Sequence, residues 1–366
     1  MNVLVTGSKG FIAKNLILRL NSEKINILEF NKSNSFSDLE DKIIKSDIIF
    51  HLAGENRSDL DKNFYKNNLN LTEQIAEVIK KRKLNKKIIF SSTAQVIKSN
   101  IYGKTKLLSE KALKECTKKT KSIVKIYRIP NVFGKWSRPN YNSIFATFAY
   151  NISRYRKINL FNSNKKIKFI YIDDLIDIFI KDCKLGGRNQ TKNITNYFSI
   201  TPKKLAETLI YFREKRNWFG LNDIEKLILK KMYSSYLTYI STGKFTYKLK
   251  KNLDVRGYIT EFLRMGNAGQ ISCFTINKGK VRGLHYHHTK IEKFMILKGK
   301  VRFDFKNLSN GKIRKFYLKE NDQKVIETVP GWLHTLKNIG IESVIGIIWT
   351  NEEFDIKKTD TYYIDE

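Results

Sequence analysis

The sequence predicts an α/β first part built on a doubly wound parallel sheet, followed by an all-β barrel or sandwich. Three observations predict this. Short β-rich runs alternate with helical periods through the first half of the 366-residue chain. Near residue 244 the texture changes to short β-like runs punctuated by Gly257, Gly266, Gly269, Gly283, Gly299, Gly311, Gly331 and Gly340, with no sustained helical period. Four of the five histidines fall within 50 residues of one another inside that second part.

In the first part, strands read at Asn2–Val5, Ile25–Glu29, Asp47–Leu52, Lys87–Phe90 and Ser122–Tyr127, and helices at Gly10–Arg19, Leu69–Lys80, Lys104–Cys116 and Pro202–Phe212. Strands alternating with helices imply right-handed βαβ crossovers and a parallel sheet covered on both faces. Residues 213–243 read as a helical connector. Ile224, Leu227 and Ile228 look helical, and Tyr233, Tyr236 and Tyr239 recur at three-residue spacing as packing aromatics. The reading therefore gives a first domain over 1–243 and a second over 244–366. Runs bounded by glycine turns make the second all-β.

The composition is 41% hydrophobic, enough to build cores, with a formal net charge of +34. Such a charge invites a nucleic-acid partner. However, the lysines are spread along the whole chain. The densest run, Lys80 to Lys83 with Lys86 and Lys87, follows a helical period and fits a solvated helix C-terminus, where cations are favoured. The expectation is no nucleic acid, with a positive surface suited to substrates carrying phosphates. Cys116, Cys183 and Cys273 are too few and too far apart for a disulfide framework, which fits a reducing cytosol. The chain begins at once with a strand and turn, and no apolar run approaches the ~18 residues of a membrane span. A cytoplasmic protein without membrane contact is expected.

The segment Thr6-Gly7-Ser8-Lys9-Gly10-Phe11-Ile12-Ala13 follows the first strand and opens the first helix. Gly7 permits the tight turn. Gly10 lets backbone N–H groups approach a pyrophosphate at the helix N-terminus, and Ala13 takes the close-packing place of a third glycine. A dinucleotide is expected here, with Leu52, Ala53 and Gly54 on its adenosine side after the third strand. Glu29 stands where an acidic residue would hold the ribose of NAD. Lys32 could pair with the 2′-phosphate of NADP, and the reading leans to NADPH. His51 reads as a packed strand residue.

Tyr102 and Lys106 are four apart on a predicted helix and share one face. An ammonium beside a phenol favours the phenolate, so the pair is expected to have a lowered tyrosine pKa and to exchange a proton with a carbonyl. Other Tyr/Lys pairs show this spacing, at 211/215, 247/251 and 286/290. Only Tyr102/Lys106 follows Ser91-Ser92-Thr93 at the end of a predicted strand. Thr93 can orient the carbonyl, and both Tyr102 and Lys106 should touch the nicotinamide and its ribose. Arg128 and Asn131, after the fifth strand, are candidates for substrate contact.

Together these segments, with Phe50–Gly54, Arg128–Gly134 and Phe169–Asp174, resemble the extended short-chain dehydrogenase/reductase family over roughly residues 1–215. That resemblance implies a Rossmann sheet and a nucleotide-sugar substrate. Ala94 and Gln95 stand where dehydratases carry an acid or base, and the gap from Thr93 to Tyr102 is short. Both features point to simple ketone reduction.

In the second part, His285 and His287 are two apart on a strand and point the same way. Glu292 returns after a turn, and His334 arrives from a later strand. Three imidazoles and a carboxylate make a divalent-metal set; the other reading is a histidine-bearing strand without metal. Gly283 to Gly299 and Pro330 to Asn338 resemble the two cupin motifs, which makes these four residues the ligands. Asp254 to Glu261 and Val281 to His285 also resemble the sugar-nucleotide 3,5-epimerase branch of the cupins.

A reductase followed by a cupin resembles, over the whole chain, the bifunctional capsule-polysaccharide enzymes of the CapF/WbjC type. Further shared stretches are Phe133–Ser143, His285–Phe294 and the tail from Trp349 to Tyr362. The resemblance implies that a zinc-bearing cupin epimerises carbon 3 of a UDP-4-keto-6-deoxy-N-acetylhexosamine. The reductase then uses NADPH to give UDP-2-acetamido-2,6-dideoxy-L-talose, a precursor of N-acetyl-L-fucosamine. A homodimer is expected. A reductase whose cupin serves as a dimerisation module remains the alternative, and a nucleotide-sensing or nucleic-acid-binding protein is a third class. The metal could polarise the ketone or brace the barrel.

Overall fold

The computed structural model describes residues 1–160, 163–184, 186–216, 227–357 and 359–364. The chain divides into two compact units: Met1–Tyr211 with Lys231–Ser241, and Phe212–Lys230 with Thr242–Glu366. The expected boundary at 243/244 lies two residues from the change at 241/242. Residues 212–216 and 227–230, expected in the first domain, go with the second.

The first unit is built on β1 (Asn2–Thr6), β2 (Asn26–Phe30), β3 (Ile48–His51), β4 (Lys87–Thr93) and β5 (Ile123–Ile129). A three-stranded sheet adds β6 (Asn131–Phe133), β7 (Ile167–Tyr171) and β9 (Phe198–Ile200), with β8 (Gln190–Asn193) between the last two in sequence. The main sheet has the order β2-β1-β3-β4-β5-β8, and all its pairs are parallel. Its inner strands β1, β3, β4 and β5 are largely apolar because both faces are covered, whereas edge strand β8 is polar and exposed. Alternation divides them between two cores. Val3, Val5, Phe50, Ile89 and Tyr127 pack on one side with Leu16, Leu20 and Phe179. Leu4, Ile49, Ile88, Phe90 and Ile126 pack on the other with Ile75, Ile79 and Leu113.

The helices are α1 (Phe11–Ser22), α2 (Phe36–Lys45), α3 (Asp61–Phe64), α4 (Leu71–Lys81), α5 (Ile101–Lys118), α6 (Ile144–Ile152), α7 (Ile172–Lys184), α8 (Pro202–Glu214) and α9 (Leu227–Leu237). The sequence reading lacked α2, α3, α6 and α7. It began α4 two residues early, at Leu69, because the preceding turn, Tyr65–Asn70, is π-helical. It began α5 three residues late, missing the Asn100 cap, whose side chain accepts from Gly103 N at 2.8 Å. In the connector, Tyr236 and Tyr239 are buried; Ile224 lies outside the described residues.

The second unit holds two sheets. One has the order β10 (Asn252–Asp254), β11 (Gly257–Arg264), β12 (Gln270–Ile276), then β19, β14 and β17. The other runs from β16 through β15 and β18 to β13 and β20. Their ranges are β13 (Val281–Tyr286), β14 (Glu292–Lys298), β15 (Lys300–Asn307), β16 (Ile313–Lys319), β17 (Val325–Glu327), β18 (Trp332–Asn338), β19 (Val344–Thr350) and β20 (Tyr362–Tyr363). All neighbours are antiparallel. Phe274, Phe294 and Ile296 from the first sheet meet Val301, Phe303, Phe305 and Leu336 from the second in a single core, giving a cupin-like architecture.

Candidate active site and metal centre

The chain runs from β1 to β2 on one side and returns through β3 on the other side of β1. This leaves a crevice at the carboxyl ends of the strands, where open α/β sheets bind ligands. Gly7 turns the chain there with φ +70, and a Cβ at Gly7 would sit 2.7 Å from Ala53 Cα. Glycine therefore lets the first turn press against the loop after β3, whose Ala53 N–H donates to Thr6 Oγ1 at 3.2 Å. Gly10 is the extended N-cap of α1, and no side chain caps it. The first N–H groups of that helix are thus left for an anion. The Ser8 hydroxyl is buried and has no hydrogen-bond partner.

Residues Gly7–Ile12, Leu52, Gly54, Thr93, Tyr102, Lys106 and Asn131 line one cleft of about 1800 Å³. That exceeds the ~300–1,000 Å³ of a single small-molecule pocket and suits a dinucleotide beside a second nucleotide. Glu29 lines it too. Lys32 is not among the lining residues. Its exposed ammonium pairs with Glu55 at 3.2 Å. His51 is buried, within 2.8 Å of Thr6 Oγ1 and of Thr72 Oγ1, and burial pulls it down to about 3. It is a neutral packed residue.

The residues expected to react, Thr93, Tyr102 and Lys106, come from β4 and α5. Thr93 ends β4, buried, with Oγ1 accepting from Gln95 N at 3.2 Å. Gly103 lets α5 approach that turn, because a Cβ there would lie 2.3 Å from Gln95 O. Tyr102 and Lys106 follow on adjacent turns. Lys106 is buried; its Nζ donates to Ser91 O at 2.8 Å and lies 4.6 Å from the Phe90 ring centre. The expected lowering of the tyrosine is not found. Burial pushes the Tyr102 phenol up to about 12, with the Thr93 side chain acting against it. Burial also pulls Lys106 down to about 7, opposed by Glu110. A lysine that holds its own charge at such cost, directed at a carbonyl oxygen, does not offset the desolvation of the phenol.

Arg128, expected to contact substrate, is held by a carboxylate and is not among the cleft-lining residues. Its guanidinium forks onto buried Glu110, at 3.0 Å from Nε and 2.7 Å from Nη2, and Glu110 also accepts from Ser92 Oγ at 2.6 Å. From the end of β5 the cleft is lined by Ile129, Pro130 and Asn131. Asn131 does line the cleft, with Nδ2 donating to Lys168 O at 3.2 Å.

Sequence reasoning missed two groups. Asn68, on the π-helical turn, is buried; it accepts from Glu55 N at 2.7 Å and donates to Thr105 Oγ1 at 3.1 Å. It thereby fixes the loop after Gly54 against the helix that carries Lys106. Tyr141 lines the cleft and donates to Glu55 Oε1 at 2.7 Å. An asparagine on a π-helical turn leaves no periodic signal; only the polar run 66–70 before an apolar helix hinted at it.

In the second unit, β13 and the residue just after it, with β14 and β18, bring His285, His287, Glu292 and His334 together. One ligand atom from each lies within 4.8 Å of the others. Leu284, at φ 62, makes an irregularity in β13 that sets His285 opposite His334. Glu292 Oε2 is 3.4 Å from His287 Nε2 and 3.2 Å from His334 Nε2. Yet those three atoms, with His285 Nδ1 and His334 Nδ1, are buried without hydrogen-bond partners. Burial, then His334, pulls His285 down to about 4, so its imidazole is neutral. Although burial raises Glu292, His287 and His334 hold its carboxyl well below the usual range. Three imidazoles and an ionised carboxylate, with orphaned buried nitrogens and a carboxylate oxygen gathered within 4.8 Å, fit a divalent cation. His288 points away from the cluster and packs on Tyr362.

A glycine-turn dinucleotide crevice beside a Tyr/Lys pair defines a nicotinamide-dependent oxidoreductase, here followed by a cupin-like unit. Residues 3–194 match the NAD dependent epimerase/dehydratase family, and 252–362 match the polysaccharide biosynthesis C-terminal domain. The chain is 36% identical over 365 residues to a UDP-2-acetamido-2,6-beta-L-arabino-hexul-4-ose reductase of Pseudomonas aeruginosa, covering 99% of this chain and 98% of that one. It is 33% identical to the solved capsular polysaccharide assembling protein CapF of Staphylococcus aureus, with a TM-score of 0.92 and all of both chains covered. The fold of the first unit also matches a UDP-glucuronic acid 4-epimerase of Bacillus cereus solved with NAD, at TM-score 0.52 and 21% identity, over 57% of this chain and 83% of that one. The chain belongs to the NAD dependent epimerase/dehydratase family and, over its whole length, to the CapF type of capsular polysaccharide enzymes.

Proposed function

We propose that this chain is a bifunctional sugar-nucleotide enzyme. Its cupin-like unit epimerises carbon 3 of a UDP-4-keto-6-deoxy-N-acetylhexosamine. Its first unit reduces the 4-ketone to UDP-2-acetamido-2,6-dideoxy-L-talose, en route to N-acetyl-L-fucosamine of capsule or O-antigen. The observation that carries the reading is the presence in one chain of the Thr93/Tyr102/Lys106 cleft and the four-ligand cluster, in a protein aligned end to end with a named hexul-4-ose reductase.

Gly7, Ser8, Lys9, Gly10, Phe11, Ile12, Leu52, Ala53 and Gly54 would hold the dinucleotide. NADPH is favoured over NADH by Lys32, which leaves Glu55 for the 2′-phosphate. Bound there, the cofactor supplies hydride to carbon 4. Tyr102 gives its proton to the carbonyl oxygen. A phenol held up to about 12 is protonated at neutral pH, as reduction requires. Thr93 orients that oxygen. Lys106, fixed by Ser91 O, binds the ribose and steadies the phenolate left behind. Asn131 contacts the substrate.

Carbon 3 is α to the ketone, so its proton becomes acidic when the carbonyl is polarised. Zinc held by His285, His287, Glu292 and His334 would supply that Lewis acidity. The protein works in the cytoplasm as a homodimer; among the described residues no helix is long and apolar enough to cross a membrane, and exposed Ile313, Phe316 and Tyr317 on the edge strand β16 offer apolar surface for pairing.

The test is incubation of the 4-keto sugar nucleotide in deuterated water without NADPH. Deuterium should enter carbon 3, and a His285→Ala variant should lose that exchange. Absence of exchange in the unmodified enzyme would leave a reductase whose cupin is a dimerisation module.

A further inference from the structure

Residues His288 to Ile291 link two members of the metal cluster, His287 and Glu292, and their N–H groups, with that of Glu292, share one kind of partner. Each of these N–H groups is taken by a side-chain oxygen from outside the segment. His288 N lies 3.0 Å from Asp360 Oδ1 and 3.2 Å from Oδ2. Thr289 N and Lys290 N donate to Asp360 Oδ2 at 2.6 and 2.7 Å, and the Thr289 hydroxyl donates to it at 3.0 Å. Ile291 N donates to Asn351 Oδ1 at 2.9 Å, and Glu292 N to Thr328 Oγ1 at 2.8 Å. Successive N–H groups gathered on one carboxylate form an anion nest, here closed by a residue 70 positions away.

Asp360 also acts through its main chain. Its carbonyl oxygen accepts from His287 Nδ1. With the proton on Nδ1, the lone pair of His287 sits on Nε2, the buried atom that faces Glu292 and has no hydrogen-bond partner. Immediately beyond, Tyr363 and Tyr362 pair with His285 and Tyr286 in β20, and Tyr363 sets its ring 5.7 Å from that of His285. One tail segment thus touches two members of the cluster and shapes the link to a third.

We propose that Asp360 is a positioning residue for the metal centre. The tail acts as a clasp that fixes the tautomer of His287 and the course of residues 288–291, so that His287 and Glu292 meet one cation. This rests on the metal reading of the cluster. By linkage the coupling is reciprocal: if the docked tail tightens zinc binding, bound zinc holds the tail docked. Partners of this kind typically contribute ~10–100-fold in metal affinity.

The experiment measures zinc affinity of the full-length protein by competition with a chromogenic chelator, for the unmodified chain, Asp360→Ala, Asp360→Asn and the control Asp355→Ala. The Ala and Asn variants should bind zinc roughly 10- to 100-fold more weakly, and the control should match the unmodified chain. Cobalt(II) bound in place of zinc should give a visible spectrum that changes in Asp360→Asn, which keeps the side-chain shape. Zinc should also slow hydrogen exchange in 287–291 and 359–363 of the unmodified protein. If the unmodified protein binds no zinc, the metal reading fails and takes the clasp with it. If it binds zinc and both Asp360 variants bind equally well with unchanged cobalt spectra, the clasp alone is refuted.

Discussion

Lys106 Nζ donates to the main-chain oxygen of Ser91 across 2.8 Å. The bond ties α5 to the carboxyl end of β4, and it is bought with a buried ammonium. That ammonium is pulled down to about 7 from an ordinary 10.5. Below about pH 7 the lysine is charged in both the folded and unfolded states. Between about 7 and 10.5 only the unfolded chain keeps the proton, so the lysine's contribution to stability rises with pH there. Urea midpoints at pH 7 and pH 9 should show this rise in the unmodified protein and a smaller one in Lys106→Met. Equal pH dependence in the two proteins would contradict the assignment.

In the proposed function, cofactor choice turns on Lys32, paired with Glu55, and on Glu29 in the cleft. Losing a charged hydrogen bond to a phosphate costs about 1.5–3 kcal/mol. Lys32→Ala should therefore lower kcat/KM for NADPH by roughly tenfold or more and leave that for NADH nearly unchanged. Glu29→Ala should improve NADPH relative to NADH. A Lys32→Ala enzyme with an unchanged NADPH/NADH ratio would refute the role of that lysine.

Gly7→Ala places a side chain at φ +70 and 2.7 Å from Ala53 Cα. The turn must shift, at a cost above about 1 kcal/mol, and the helix N-terminus shifts with it. Titration of the variant with NADPH, followed by fluorescence, should show at least tenfold weaker binding while zinc uptake is unaffected. Tight NADPH binding by the variant would place the pyrophosphate elsewhere.

Much of this was legible in the sequence, and the gaps have physical causes. Strands β1, β3, β4 and β5, the four inside the sheet, could be read because burial on both faces makes them largely apolar runs. The four cluster residues could be read because period-2 alternation puts His285 and His287 on one face. Helix α2 was legible but overlooked: Ser35 and Asp38 form a reciprocal capping box, and Leu39 and Ile43 form its buried face. Other features were not legible. Tyr102 and Lys106 gave their spacing but not their burial, which reverses the expected direction of the tyrosine shift. Arg128 looked free at the mouth of a strand because its partner, Glu110, sits 18 residues earlier on a helix. Asp360 meets His287 across 73 residues, a distance no local pattern spans.

Removing the metal should separate the two activities. Treatment with a strong zinc chelator should abolish carbon-3 exchange and lower the melting temperature of the second unit. Saturating zinc at 100 times its Kd stabilises by about 2.7 kcal/mol. Reduction of a 4-keto sugar that needs no epimerisation should continue. Loss of that reduction on chelation would place the metal in the reductive step.

The central claim is that the Tyr102 phenol protonates the sugar carbonyl. The direct measurement is NADPH oxidation by Tyr102→Phe with the 4-keto sugar nucleotide. The account predicts kcat lower by roughly 10²- to 10⁴-fold, with carbon-3 deuterium exchange and NADPH binding preserved. Turnover equal to that of the unmodified enzyme would contradict it.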